Sequence, residues 1–137
     1  MINRSKDFDL GQDKTRMKNP ADEARQSRTV DEILERFFSR QQKNRWEIQI
    51  LADEVGMGKT FVALATAYSI LSEMKFGSPP DAVRNCYKKI VIVTPRNAAL
   101  FKKWQREVSE FVKRCVRPDD QNQAQNWFRG VAVEQED

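Results

Sequence analysis

Residues 51–60 read Leu-Ala-Asp-Glu-Val-Gly-Met-Gly-Lys-Thr and connect a short apolar run to an amphipathic stretch. Residues 46–52, which end in this run, are too few for a helix and have the β-branched bias of a buried strand. Large apolar residues then recur on one broad face of residues 59–74, which predicts a helix packed on a sheet. The sequence therefore predicts a strand, a tight glycine turn and a helix in succession.

Such a turn is suited to binding phosphate. Gly56 and Gly58 leave room for successive backbone N–H groups to converge, and the first turn of the helix adds its own unpaired N–H groups. Lys59 can reach the β- and γ-phosphates of a nucleotide, and the Thr60 hydroxyl can bind Mg²⁺. Asp53 stands where the strict P-loop has glycine. An incidental Gly-Lys-Thr is the alternative, but the flanking strand and helix favour a phosphate loop.

A second strand and helix follow. Residues 89–94 read Lys-Ile-Val-Ile-Val-Thr, a continuous apolar run typical of a parallel strand buried on both faces. After Pro95, apolar residues spaced by three and four predict an amphipathic helix over residues 97–116. Strand and helix alternation predicts an α/β fold with parallel strands and flanking helices. Two strands leave the sheet incomplete, so we expect it to pair with further strands.

The rest of the chain divides by composition. Residues 1–24 have few large apolar side chains and predict a flexible N-terminal arm, with a turn at Asn19-Pro20. A helix is predicted to begin near Val30, and the lobe that contains the phosphate loop to span residues 25–117. Residues 118–137 are rich in Gln, Asn and acidic residues and are predicted to be a polar tail, in which Trp127-Phe128 could dock locally.

Composition excludes several function classes. The chain has 137 residues and no histidine, which excludes a Ser-His-Asp or Cys-His catalytic set and a His-ligated zinc within it. Cys86 and Cys115 stand alone, so neither a zinc ribbon nor a disulfide framework is indicated, and Cys115 continues an apolar stripe. No apolar stretch approaches the length of a membrane span and no signal peptide is evident, so we expect a cytoplasmic protein.

Positive charge is concentrated between residues 88 and 117. This stretch has nine basic residues against only Glu107 and Glu110. Such a block can follow a phosphate backbone, and a solvated helix face is the alternative.

The stretch of residues 51–60 resembles motif I of superfamily 2 helicases, and is most similar to that of the Swi/Snf-type DNA translocases, in which Asp53 is ordinary. Residues 90–96, with Trp104-Gln105-Arg106-Glu107, resemble motif Ia and its following helix. Residues 25–34 are similar to the segment that contains the family's adenine-reading glutamine. The resemblance implies a partial RecA-like P-loop lobe that binds ATP and Mg²⁺ and contacts nucleic acid, with DNA favoured over RNA.

The resemblance also assigns roles to residues. Gln26 would read the adenine edge, Lys59 would hold the β/γ-phosphates, and Thr60 would bind Mg²⁺. The nucleotide loop would comprise Asp53, Glu54, Val55, Gly56, Met57 and Gly58. The strand of the nucleic acid would lie near Thr94, Pro95 and Arg96.

Hydrolysis needs carboxylates that complete the magnesium site and orient the attacking water. In the resembled family an Asp-Glu pair after a later strand supplies them, and no such pair follows an apolar strand after residue 95. The leading hypothesis is the ATP-binding N-terminal portion of a nucleic-acid-dependent translocase, which needs a second lobe from the remainder of the helicase or a partner chain. The alternatives are a non-catalytic nucleotide- or nucleic-acid-binding module that docks on a larger helicase, and a P-loop ATPase outside the helicases.

We predict that this chain by itself hydrolyses no ATP above background, because it lacks that Asp-Glu pair. Phosphate release from the purified chain, with and without DNA, checks this. Turnover that disappears in Lys59→Ala would show that the active site is complete.

Overall fold

The computed structural model describes residues 2–41, 43, 45–46, 48–52, 58–77 and 90–128. These residues form four α-helices, which we number in chain order, and two short 3₁₀ helices at Leu10–Gln12 and Pro118–Asp120. The α-helices are α1 (Pro20–Phe38), α2 (Lys59–Phe76), α3 (Ala98–Cys115) and α4 (Gln121–Phe128).

Helix α1 begins at Pro20, ten residues before the predicted start near Val30. The Asn19 side chain accepts a hydrogen bond from the Ala21 N–H at 3.0 Å and so caps the helix. Proline suits the first helical position because its missing N–H would have no partner there. The Asn19-Pro20 pair, which we expected to form a turn, therefore starts the helix.

Helix α2 lies at the centre of the molecule. The prediction of a helix from residue 59 is confirmed, and Val62, Ala65 and Tyr68 are completely buried. The buried hydroxyls of Thr66 and Ser69 each donate to a carbonyl of their own helix at 2.8 Å. These bonds satisfy the two polar side chains, so that both can be buried beside the apolar residues of the helix.

Helix α3 is amphipathic, as predicted. Asn97 caps it by accepting from the N–H groups of Ala99 and Leu100. Phe111, Val112 and Cys115 are buried on its inner face. The helix therefore has one face in the core and one in solvent.

The segment before α1 packs against the end of α3. Phe8 and Val116 form an isolated antiparallel bridge, flanked by the hydrogen bonds Asp9 N–H to Cys115 O and Arg117 N–H to Asp7 O. The side chains of Ile2, Phe8 and Leu10 are buried. The division of the chain at residues 24 and 117 stays a prediction, but the first segment contributes to the core.

The predicted α/β fold is wrong for the residues that the structure describes: they contain helices and no strand or sheet. Neither of the segments predicted as strands, residues 46–52 and 89–94, forms a ladder in its described part. Their apolar side chains alternate instead. Leu51 and Ile92 pack against the helices, whereas Ile50 and Val93 are 79% and 86% exposed.

The physical reason is that an apolar β-branched run favours an extended backbone but does not supply the neighbouring strand that a ladder requires. Without that pairing in the described part of the chain, the partial RecA-like P-loop sheet expected from the sequence is not formed. Helix α2 packs on α1 and α3, not on a sheet.

An aromatic cluster joins four elements. The Phe111 ring lies 5.7 Å from Phe8, 5.7 Å from Phe61 and 6.2 Å from Phe128, measured between centroids. These are tilted or edge-on contacts, the favoured geometry for aromatic pairs. Helix α4, where the sequence indicated no defined element, covers this cluster because Trp127 and Phe128 both contact Tyr68.

We predict that Phe111→Ala lowers the free energy of unfolding by about 3–5 kcal/mol, because it leaves a cavity among these rings. The matched control is Phe76→Ala, which truncates a ring that is 63% exposed and should cost less than about 1 kcal/mol. Urea unfolding of both variants measures the difference. Equal losses would show that Phe111 is not the centre of the core.

Candidate functional site

A cavity of about 590 Å³ opens at the N-terminus of α2. Its volume is within the range of small-molecule sites in proteins. Three parts of the fold surround it: the segment before α1 together with α1, the start of α2, and the middle of α3. The lining residues are Leu10, Asp13, Arg16, Met17, Gln26, Gly58, Lys59, Thr60, Phe61, Lys103 and Glu107.

Gly58 lies directly before α2 in a conformation that requires glycine. Its φ of 80° is in the left-handed region, which side chains with a Cβ rarely adopt. A Cβ placed there would collide with the side-chain amide of Gln26 and lie 2.9 Å from its Oε1. The buried Gln26 of α1 is therefore packed against the backbone at the start of α2.

The structure brings together four of the residues predicted to bind nucleotide. Gln26, Gly58, Lys59 and Thr60 line one cavity, although Gln26 is 32 positions from Gly58, the nearest of the others in sequence. The other five predicted loop residues lie outside the described residues; they are Asp53, Glu54, Val55, Gly56 and Met57. For these five the predicted role stays a prediction.

The residues predicted to contact nucleic acid lie elsewhere. Thr94, Pro95 and Arg96 precede α3 and are not among those that line the cavity. Pro95 and Arg96 are exposed, and Thr94 is half-buried.

The contribution of the segment before α1 to the cavity was not predicted from the sequence. Asp13 accepts hydrogen bonds from the Thr15 hydroxyl at 2.6 Å and from the Thr15 N–H at 3.1 Å. This is the Asx-turn pattern, and the Asp-Lys-Thr sequence of residues 13–15 could have indicated it. The turn brings Arg16 to the cavity, where its guanidinium binds Glu107 of α3 through two hydrogen bonds of 2.8 and 3.4 Å.

Asp13 is buried, and its carboxylate is held by several donors. Burial by itself would raise its pKa, but the hydrogen bonds from Thr15 and the Arg16 N–H, together with the charge of Arg114, lower the pKa below the ordinary 3.8. The Arg114 guanidinium lies 3.6 Å from Asp13 Oδ1 and also pairs with Glu110. Asp13 therefore connects the first segment to α3.

These ion pairs use both acidic residues of the basic stretch. Glu107 binds Arg16, and Glu110 binds Arg114. The charged residues that are exposed on α3 are consequently all basic. They are Lys102, Lys103, Arg106 and Lys113.

Cys115 is fully buried, as the apolar stripe predicted. Burial, with a smaller contribution from Asp13, raises the pKa of its thiol to about 12. A thiol with that pKa is protonated near neutral pH, so Cys115 is a packing residue and not a nucleophile.

The ranges that the structure describes contain no group of three or more histidine, cysteine, aspartate or glutamate residues that could hold a metal ion. Across the same ranges, no helix combines the length and the apolar character needed to cross a membrane.

In the comparison with protein families, the model of the SNF2-related domain matches residues 31–133, which is about three quarters of the chain. The chain belongs to the SNF2-related domain family. The resemblance to the Swi/Snf-type helicases is thereby confirmed. Comparisons with curated proteins and with solved structures find no match.

Membership indicates a helicase-like ATPase family of the Swi/Snf type. ATPases of the SNF2 family generally use ATP and Mg²⁺, and the family suggests nucleic acid as a class of partner. The matched range includes the start of α2 and all of α3, whereas Asp13, Arg16 and Gln26 lie before it. The SNF2-related domain thus supplies two sides of the cavity, and the preceding segment together with the first half of α1 closes the third.

We predict that Asp13→Asn destabilises the protein at pH 7 and that this difference shrinks on acidification. A folded-state pKa below 3.8 means that the carboxylate stabilises the fold above that pH and that this contribution is lost as the pH falls through the folded-state value. Urea unfolding of parent and variant at about pH 7, 4 and 3 measures the difference. The exposed Asp119→Asn should stay within about 0.5 kcal/mol of the parent at pH 7. A pH-independent difference for Asp13→Asn would contradict the assignment.

Proposed function

We propose that the cavity at the start of α2 binds ATP, as part of a nucleic-acid-dependent SNF2-type ATPase. The observation that carries the proposal is the contact between Gln26 and Gly58 beside Lys59 and Thr60. Through this contact Gln26, which is expected to read adenine, lies beside Gly58 of the loop that is expected to bind phosphate.

Each residue has a separate part in binding. The first N–H groups of α2 have no partner within the helix and carry partial positive charge, so they attract phosphate oxygens. Lys59 adds a full positive charge at the same helix end. The amide of Gln26 has both donor and acceptor atoms, which an adenine edge requires.

The residues present also fit a magnesium ion bound together with the nucleotide. Thr60 is half-buried in the first turn of α2 and lines the cavity, where its hydroxyl can serve as an oxygen ligand. The bound ion would neutralise phosphate charge and orient the phosphates. The two carboxylates of the cavity form ion pairs with arginine: Asp13 pairs with Arg16 and Arg114, and Glu107 pairs with Arg16.

We infer that nucleic acid, with DNA favoured over RNA, contacts the exposed side of α3. Arg96 precedes that helix, and the four exposed basic residues named above lie along it, from Lys102 to Lys113. Positive side chains at this density attract a phosphate backbone and make binding dependent on salt. Thr94 and Pro95 would lie beside the same strand of the nucleic acid. In this proposal the complete ATPase translocates along DNA, and this chain binds the nucleotide.

We predict that Lys59→Ala weakens ATP binding at least tenfold, about 1.4 kcal/mol, because it removes the charge that faces the phosphates. The matched control is Lys75→Ala, in the last turn of the same helix, which should leave the affinity unchanged. Fluorescence titration with a labelled ATP in the presence of Mg²⁺ gives both dissociation constants.

Two outcomes would contradict the nucleotide site. One is an absence of ATP binding by the parent chain, and the other is an equal affinity in the parent and Lys59→Ala. Circular dichroism of each variant establishes that a loss of binding is not a loss of fold.

A further inference from the structure

Arg16 is held at the mouth of the cavity by contacts that leave it accessible. Its guanidinium carbon lies 4.3 Å from the centre of the Phe61 ring, in cation–π contact. Its side chain is 42% exposed, and it lines the same cavity as Lys59 and Thr60. Phe61 follows Thr60 directly, so this contact places the guanidinium beside the first turn of α2.

Glu107 is the principal partner of Arg16. The two hydrogen bonds between them form a bidentate pair, and Asp13 Oδ2 lies farther off, 3.8 Å from Arg16 Nε. The Glu107 side chain is 17% exposed, and it also lines the cavity. An anion that enters the cavity therefore meets a carboxylate and an arginine that are bound to each other.

The chemistry of the pair favours an exchange of partners. A guanidinium binds phosphate oxygens with the same fork geometry that it uses for a carboxylate. A triphosphate beside Glu107 would be repelled by that carboxylate and attracted by Arg16. The carboxylate and the phosphate are thus two acceptors that compete for one donor.

We propose that Arg16 is a phosphate-binding residue of the nucleotide site, supplied by the segment before α1, and that it exchanges Glu107 for the phosphates when nucleotide binds. The inference rests on the proposed function. It adds a residue that lies outside the range matched by the family.

A purely structural role for the pair predicts a different result. If the Arg16–Glu107 pair only holds the first segment against α3, removal of either partner breaks the same contact and weakens nucleotide binding alike. If Arg16 binds phosphate, the two substitutions act in opposite directions. Arg16→Gln removes a ligand of the phosphates, whereas Glu107→Gln removes their competitor and a repelling charge.

The experiment measures the affinity of the full chain for ATP and for inorganic tripolyphosphate, both with Mg²⁺, by calorimetric titration. Arg16→Gln should weaken both about tenfold, as expected for loss of a hydrogen bond between charged groups. Glu107→Gln should tighten both, by roughly threefold, since the gain is a relieved repulsion in a partly solvated site. Tripolyphosphate lacks the base, so an equal effect on both ligands assigns the contact to phosphate.

The matched control is Arg114→Gln. It breaks a second ion-pair connection between the first segment and α3, through Asp13, at a residue that does not line the cavity. The affinity of the Arg114→Gln variant for both ligands should equal that of the parent. Arg16→Lys serves as a second variant: it retains the charge without the fork, and an intermediate affinity is expected.

Several results would overturn the inference. Weakened binding in both Arg16→Gln and Glu107→Gln would assign the pair a structural role, and no change in either would show that Arg16 does not bind the phosphates. If Arg16→Gln weakened the binding of ATP but not of tripolyphosphate, Arg16 would not be a ligand of the phosphates. If Lys59→Ala weakens binding as predicted while Arg16→Gln does not change it, only this inference fails. If the parent binds neither ligand, the proposed function fails as well.

Discussion

The position of α2 depends on burial of the aromatic rings around Phe111. That ring has no exposed surface, and it contacts rings from the first segment, from α2 and from α4. Burial of apolar surface is the main source of folding free energy, and aromatic side chains supply the largest area per residue. Phe61 belongs both to this cluster and to the first turn of α2, next to Lys59 and Thr60. The core thus fixes the end of the helix at which the candidate site lies.

The polar contacts of the site extend from this core. Tyr68, buried in the cluster, donates its hydroxyl to Asp7 at 3.0 Å, and the Ser69 hydroxyl accepts from the Ser5 N–H. Asp13 and Arg16 follow in the same segment and pair with Arg114 and Glu107 of α3. The first segment is therefore held at several points along its length. This arrangement allows residues that are distant in sequence to form one wall of the cavity.

Several elements were predictable because their signals are local. The α2 helix, the apolar stripe of α3 and the burial of Cys115 follow from spacing and composition within fewer than twenty residues. Whether the two predicted strands pair into a sheet was not predictable in the same way. The runs around Ile50 and Val93 have strand composition, but a strand exists only with a hydrogen-bonded neighbour, and such a neighbour is not part of the local pattern. For α1 the local signal was present but ambiguous, since Asn-Pro is compatible with both a turn and a helix start.

The sequence by itself determined the chemistry at the start of α2, because glycine, lysine and threonine at positions 58–60 act through their own backbone and side chains. It also determined the family, because motif spacing is a property of the chain and does not depend on how the chain packs. Only the tertiary structure decided which distant groups face that helix end. The contact of Gln26 with Gly58 and the pair between Arg16 and Glu107 join residues 32 and 91 positions apart. Such contacts arise from burial of a shared core, and no local pattern encodes them.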